Sequence, residues 1–234
     1  MPWRPQRPIH PGRADLQYVR RLADDPVVLV QARPFVTWFR PLLAYLGGRA
    51  VLRYRRERNA PVSGVDDDAR LCAQLLAHVG FERPHVVGHS YGGLVALELA
   101  RQDVVDIRSL ALLEPAPAGL LAPVEAGAQM EPLLRMARES GAAVAMEHFL
   151  RAACGASGRD ALATLVPDAV ENALTYAAGF FDGELPATIA WSFTPADATL
   201  IECPILNLRG GLSDTRFRDG SATIQAWFPS AGST

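Results

Sequence analysis

The sequence predicts an α/β fold, a mostly parallel sheet flanked by helices and interrupted by an inserted all-helical segment. Three observations carry this expectation. Short apolar runs such as Val27-Val28-Leu29-Val30 alternate with helical patterns, as parallel strands covered on both faces do. One such run enters a glycine-rich turn, Gly88-His89-Ser90-Tyr91-Gly92, and leaves it as the apolar helix Leu94 to Ala100. From about residue 116 to 194 the alternation stops, and helical patterns follow one another with no strand between them.

Taken in order, residues 1–14 are rich in proline and arginine and are expected to form a poorly ordered tail. Asp15 to Arg20 reads as a strand, Asp24-Asp25-Pro26 as a turn, and Val27 to Val30 as a buried strand. Trp38 to Leu46 has amphipathic spacing and ends at Gly47-Gly48, so a helix is expected there. Arg49 to Tyr54 is the next strand. Asp66-Asp67-Asp68 opens a helix whose first-turn carboxylates suit the helix dipole. Cys72, Leu75, Leu76 and Val79 fall on its sheet-facing stripe. Arg83 to Val87 and Arg108 to Leu113 are strands. The insert is expected to hold helices over Met130–Ser140, Ala142–Ala153, Pro167–Ala178 and Leu185–Trp191, and the sheet resumes at Pro204 to Gly210. The expected units are therefore 15–115, 116–195 and 196–234.

Composition narrows the function classes. A chain of 234 residues with 49% hydrophobic content can bury a sizeable core as one domain with a small insertion. A net charge of −2 draws it to neither nucleic acid nor an anionic membrane. All 23 basic residues are arginine, which points to a high-GC bacterial genome and excludes Ser–Lys and Schiff-base catalysis. Cys72, Cys154 and Cys203 lie far apart with no Cys-x-x-Cys spacing, which fits a reducing cytoplasm better than a disulfide framework or a zinc site. The N-terminus lacks the apolar core of a secretory signal, and no run approaches the roughly 20 apolar residues of a membrane span. The expected partner is a small molecule, with no cofactor, no metal, no nucleic acid and no membrane; oligomeric state is not legible.

The chemistry centres on Ser90. A Gly-x-Ser-x-Gly turn between strand and helix holds its serine in a strained backbone, so the hydroxyl stands clear of the sheet. Gly88 and Gly92 leave room for strand and helix to pass closely. The helix N-terminus favours negative charge, and the backbone N–H of Tyr91 is an expected oxyanion donor. Alternation along the turn points His89 away from the serine, beneath the elbow. The stretch Val79-Gly80-Phe81-Glu82-Arg83-Pro84-His85-Val86-Val87-Gly88-His89-Ser90-Tyr91-Gly92-Gly93 resembles the elbow of the α/β-hydrolase superfamily, in particular small bacterial hydrolases with a helical cap. The resemblance runs from about Tyr18 to Pro229. It implies acyl transfer to Ser90 from a small ester-like or other acyl substrate, then hydrolysis by water, with the insert as the cap. Phe149, Tyr176, Phe180, Phe181, Trp191 and Phe193 are expected partly to line a pocket over Ser90 and partly to pack the insert on itself. Where the family carries His-Gly after an early strand, this chain has Gln31-Ala32. The resemblance makes the backbone N–H of Arg33 the second oxyanion donor; Pro34 has none to offer. Arg55-Arg56-Glu57-Arg58-Asn59 replaces the family's Asp-x-x-Gly-x-Gly-x-Ser at the pocket rim and is expected to be a solvated arginine face, with attraction of an anionic substrate as the alternative.

A serine hydroxyl needs a base, and the base needs a carboxylate to orient it. Two carboxylates are candidates. Glu114 follows the strand after the elbow, where the dehalogenase-like branch carries its acid. Asp214 follows the later strand, although Ser213 occupies the family's acid position when counted from Gly210. The histidines are His10, His78, His85, His89 and His148, and of these His148, in the insert, is the one able to overhang the serine. The family's base lies after a last strand, some twenty residues beyond a segment like Ala226 to Ala231, and the sequence stops at Thr234. The expectation is that the last strand, its helix and the late His lie beyond this chain. The alternative to an active hydrolase is then a catalytically impaired or non-catalytic fragment of one.

Overall fold

The computed structural model describes residues 14–19, 25–56, 64–155 and 158–233. The expected tail up to residue 13, and Glu57, Arg58 and Asn59 of the arginine-rich stretch, lie outside the described residues. Seven strands form one sheet: β1 (Ala14–Val19), β2 (Val27–Val30), β3 (Val51–Arg56), β4 (His85–His89), β5 (Ser109–Leu113), β6 (Ile205–Leu208) and β7 (Gly232–Ser233). Their order is β1-β3-β2-β4-β5-β6-β7. β1 runs antiparallel to β3 and all other pairs are parallel. The chain builds outward from β2 to β3, then returns to place β4 on the other side of β2. That reversal opens a crevice at the carboxyl ends of β2 and β4, where ligands gather in such sheets.

On the sheet pack α2 (Val65–Val79), α3 (Tyr91–Gln102) and α11 (Thr215–Trp227), with a single-turn α1 (Arg40–Leu43) after β2. In α2 the Asp67 carboxylate accepts from the Gly64 backbone N–H at the start, and Gly80, at φ 72°, ends the helix in the left-handed region that favours glycine. Cys72, Leu75 and Leu76 turn inward as their spacing predicts, Val79 is half-buried at the helix end, and Leu71, not among the expected residues, is buried too; burial pushes the Cys72 thiol up to about 12, the state of an inert structural cysteine. In α3 every residue from Tyr91 to Ala100 is buried, because this helix lies between the sheet and what covers it.

Between β5 and β6 lie α4 (Pro123–Ser140), α5 (Ala142–Cys154), α6 (Gly158–Leu165), α7 (Ala169–Thr175), α8 (Ala177–Gly179), α9 (Leu185–Ala190) and α10 (Pro195–Ala198), with a π turn over Phe180–Glu184. Several elements differ from expectation: α10 and α11 are not among the expected helices, and the helix expected over Pro167–Ala178 is broken into α7 and α8 at Tyr176. α4 starts seven residues before Met130, at a proline in its first turn, and tolerates Pro132 inside. α6 is not among the expected helices. The helix expected over Trp38–Leu46 shrinks to one turn, because Pro41 has no N–H to extend it backward and Gly47-Gly48 follow closely. Among the described residues no helix is long and apolar enough to cross a membrane.

Candidate active site

Ser90 closes β4 and caps α3 with φ 54° and ψ −122°. A positive φ on a serine costs roughly 1–3 kcal/mol and persists only where surroundings over-determine it. Here they do. The Ser90 N–H donates to Leu113 O at 3.1 Å, and its carbonyl accepts from Gly93 N at 2.9 Å and Ala116 N at 3.1 Å. The flanking glycines are required by contact. A Cβ on Gly92 would lie 2.0 Å from Val30 O, and one on Gly88 would lie 2.4 Å from Gly92 O, both backbone atoms that cannot step aside. His89 packs against the rings of Trp38 and Phe39, at centroid distances of 5.6 and 6.2 Å. The residue as a whole is half-buried, and its Nδ1 is buried without a hydrogen-bond partner. Burial lowers its pKa to about 4, against a smaller upward pull from Glu114.

The two expected oxyanion donors differ in state. Tyr91 opens α3, so its backbone N–H is one of the helix's first four, which have no intrahelical acceptor. The Arg33 backbone N–H is not free: it donates to both carboxylate oxygens of Glu184, at 2.9 and 3.0 Å. In this structure the Arg33 donor is held by the insert. Glu184 reaches in from the π turn of the insert and also pairs with Arg56, whose guanidinium donates to Gln31 O at 2.9 Å. Arg56 in turn sits 3.1 Å from Asp68, which accepts from the Tyr91 hydroxyl at 2.7 Å. The side chains of Arg56, Asp68 and Glu184 are each no more than 4% exposed. Burial alone would lower the Arg56 pKa; Asp68 and Glu184 outweigh it and hold the guanidinium charged. Burial pushes the Glu184 carboxyl up, against the pull of Arg56 and Arg33. The expected solvated arginine face is corrected at Arg56, which is a buried cation; Arg55 is half-buried over the Tyr176 ring at 5.0 Å, and Arg53, outside that stretch, is buried. Asp66 and Asp67 remain outside, paired with Arg70, while Asp68 turns inward.

The two candidate acids also separate. Glu114 follows β5 with φ 45°, its N–H bonded to Leu208 O at 3.0 Å. Its Oε1 accepts from Gly210 N–H at 2.8 Å and from the Ser213 hydroxyl. A carboxylate from β5 therefore reaches the residue that fills the acid position counted from Gly210. Asp214 is engaged elsewhere. It caps α11 by accepting from the N–H groups of Arg216 and Phe217, and it binds the Arg216 guanidinium at 2.6 Å. That guanidinium, ahead of a smaller burial effect, holds the Asp214 carboxyl below its ordinary value. Among the described residues no imidazole is hydrogen-bonded to Ser90 or Glu114. His85 bonds Ser109 and Asp25, His78 lies in the last turn of α2, and His10 is outside the described residues.

Ser90 and Tyr91 line a cavity of about 240 Å³ whose other walls come largely from the insert, including Met130, Leu133 and Met136 of α4, Phe149 of α5, and Leu185 of α9. His148 is exposed and also lines it. The aromatics divide as expected. Phe149 and Phe180 line the cavity, 5.3 Å apart, whereas Phe181, Trp191 and Phe193 are buried in packing, with Trp191 Nε1 donating to Glu98 at 3.0 Å. Sequence reasoning missed Glu184, Asp68, the methionines of α4 and the role of Arg56. The one available signal was the pairing of an arginine inside an apolar strand pattern with three successive aspartates.

A sheet reversing at β2 and β4, a strained serine at its carboxyl edge and a helical insert above it define the class. A family model described as "alpha/beta hydrolase fold" matches residues 53–195, and the chain belongs to this family. A relative from Azorhizobium caulinodans, named "Putative carbamate hydrolase RutD", is 32% identical over 112 residues, 44% of this chain. The chain spans 42% of the length of that relative. Among solved structures, the enol-lactonase from Burkholderia xenovorans LB400 aligns with a TM-score of 0.80 at 17% identity, over 96% of this chain and 88% of that one. A hydrolase from Pseudomonas aeruginosa PA01 aligns with a TM-score of 0.79 at 18% identity, over 97% and 87%. At these identities the likeness is one of fold.

Proposed function

We propose that this chain is a serine hydrolase of small ester-like or other acyl substrates. The observation that carries the reading is a serine in a strained strand-to-helix turn, opening at a helix N-terminus into an apolar cavity. In this reading the Ser90 hydroxyl attacks the acyl carbon, its proton passes to a base, and the tetrahedral oxyanion is held by the Tyr91 N–H. The alcohol or amine leaves with a proton, and water then releases the acid from the acyl-serine. Glu114 is the carboxylate of the set, because main-chain and hydroxyl donors already hold it in place, while Asp214 serves the α11 cap. Arg33 N–H joins the oxyanion site only when Glu184 releases it. Segment 116–195 acts as the cap that shapes the substrate's space. The names of the relatives, a carbamate hydrolase and an enol-lactonase, both describe cleavage at an acyl carbon. The scattered free cysteines fit a bacterial cytoplasm.

A second reading, ligand binding with little turnover, is favoured by where the imidazoles lie. His89 is wedged under the elbow and His148 is exposed, and neither bridges Ser90 and Glu114. The deciding experiment assays the purified chain and Ser90→Ala with an activated ester, p-nitrophenyl acetate, separately treats both with an alkyl fluorophosphonate, which loses fluoride to a reactive serine, and locates any stable phosphonate adduct by peptide mass spectrometry. Turnover and labelling that both vanish in Ser90→Ala support the hydrolase. Equal rates in the two proteins, with no adduct on Ser90, sink it in favour of the second reading.

A further inference from the structure

We infer that the cavity over Ser90 takes the apolar arm, about eight heavy atoms at most, of an uncharged ester or lactone and rejects arms that end in a carboxylate. This deepens the hydrolase reading and rests on it for the chemistry at Ser90. Size comes first. A volume of about 240 Å³, at about 30 Å³ for each water-sized group, holds roughly eight such groups. Character comes second. The walls are mainly thioethers, leucines, phenylalanines, alanines and prolines, with few polar side chains among them, a surface that adapts to an apolar chain and offers a charged group little in place of its hydration.

Of the polar side chains on the cavity wall, Gln129 and His148 are exposed, while Thr188 and Arg216 are engaged by the protein itself. The Thr188 hydroxyl donates to Glu184 O at 2.9 Å. The cation on the wall, Arg216, binds Asp214 through Nε at 3.1 Å and Nη2 at 2.6 Å, so its charge is already compensated. Among the described residues no carboxylate lines the cavity. A substrate carboxylate would therefore lose its water and meet a guanidinium that has a partner. A neutral chain meets no such cost and gains about fourfold in affinity for each methylene buried.

The test separates binding from turnover. Methyl esters of straight-chain acids from acetate to dodecanoate are titrated calorimetrically into the Ser90→Ala protein, beside monomethyl adipate, which carries a free carboxylate at the far end. The dissociation constant should fall about fourfold per methylene up to roughly the octanoate and then level off. Monomethyl adipate should bind at least about tenfold more weakly than methyl hexanoate. Ala153→Leu, which pushes three further carbons into the wall, should move the break to a chain about three carbons shorter. A profile flat with chain length, or one still improving at the dodecanoate, overturns the inference. So does adipate binding as tight as hexanoate, and its loss in Arg216→Gln would reassign the site to anionic acyl groups. Failure of the hydrolase reading looks different: the length profile stays in Ser90→Ala, but the parent shows no Ser90-dependent hydrolysis of p-nitrophenyl esters.

Discussion

Replacing Glu184 with leucine should be among the most damaging single changes in the insert. Its carboxylate accepts from the Arg33 backbone N–H with both oxygens and pairs with Arg56, and all of these groups are buried. Leucine leaves the Arg56 cation with Asp68 as its remaining carboxylate and orphans a main-chain donor. Breaking a buried pair from one side costs about 3–5 kcal/mol, chiefly through the uncompensated charge left behind. The orphaned amide falls in the range of about 1–3 kcal/mol for an unmet buried donor, and part of that is already inside the first figure. The expected loss for Glu184→Leu is therefore about 4 kcal/mol, a large share of the roughly 5–15 kcal/mol that holds a domain folded. Glu184→Gln keeps an acceptor for Arg33 and should lose less, about 2 kcal/mol. Arg56→Met combined with Glu184→Leu should cost less than the sum of the two single changes by at least about 1 kcal/mol, because neither charge is then stranded. Urea unfolding at pH 7, extrapolated to water, measures the parent and the four variants, Arg56→Met alone included. A Glu184→Leu protein within about 1 kcal/mol of the parent, or strict additivity in the cycle, would refute this account of the cluster.

Gly92→Ala should destabilise by about 3 kcal/mol or more, the upper end for overpacking, because its Cβ would meet Val30 O at 2.0 Å; Gly211→Ala, with open space around it, is the control and should stay within about 0.5 kcal/mol. His89 makes stability fall in acid: burial holds its pKa near 4 against an ordinary 6.5, so the neutral form is favoured in the fold. Its contribution is complete above about pH 6.5 and lost on the way down to about pH 4. The loss is at most about 3 kcal/mol, since the residue as a whole is only half-buried; His89→Phe should flatten the unfolding free energy between pH 6.5 and 4, and an unchanged slope would count against the assignment. In an active preparation Glu114→Gln should lower kcat by orders of magnitude with little change in KM, while Asp214→Ala should barely touch kcat and cost about 1 kcal/mol through the α11 cap; the reverse ranking would move the acid to Asp214.

The strand-turn-helix around Ser90 was legible because the signal is local: a buried run, two glycines and an apolar helix lie within some twenty residues. The alternation of strands and helices likewise fixed the sheet, and the break in that alternation located the helices between β5 and β6. Two features resisted reading. The charged stretch at Arg55 and Arg56 looks solvated in sequence, because arginine is rarely buried without a partner, and its partners Asp68 and Glu184 stand 12 and 128 residues away. Arg33 likewise looked available as a donor. What engages it is set by a π turn at Phe180–Glu184, a backbone irregularity with no sequence signature of its own. Glu114 and Asp214 were open alternatives in sequence. Their surroundings, which no local pattern encodes, differ: Asp214 is turned into its own helix and Glu114 is held by Gly210 and Ser213.

Three non-glycine residues among those described have positive φ: Ser90, Asp103 and Glu114. Asp103, at φ 51° and ψ 32°, ends α3 in the left-handed cap that many helices adopt, so it needs no functional explanation. Ser90 and Glu114 do not end helices; they close the adjacent parallel strands β4 and β5 at the carboxyl edge of the sheet. Each is tied to the neighbouring strand's end: Ser90 N–H to Leu113 O, and Glu114 N–H to Leu208 O. A change that relaxed one would tug on the hydrogen bonds that hold the other, so the spacing between hydroxyl and carboxylate is set by the ladder rather than by loops. The cavity above them is built mostly by helices that no strand constrains. Substitutions in the sheet edge should then alter whether the proposed chemistry can run, and substitutions in α4 and α5 should alter which acyl arm it runs on. A chain-length preference that moved with Gly88 or Gly92 variants while staying fixed in α4 and α5 variants would contradict that division.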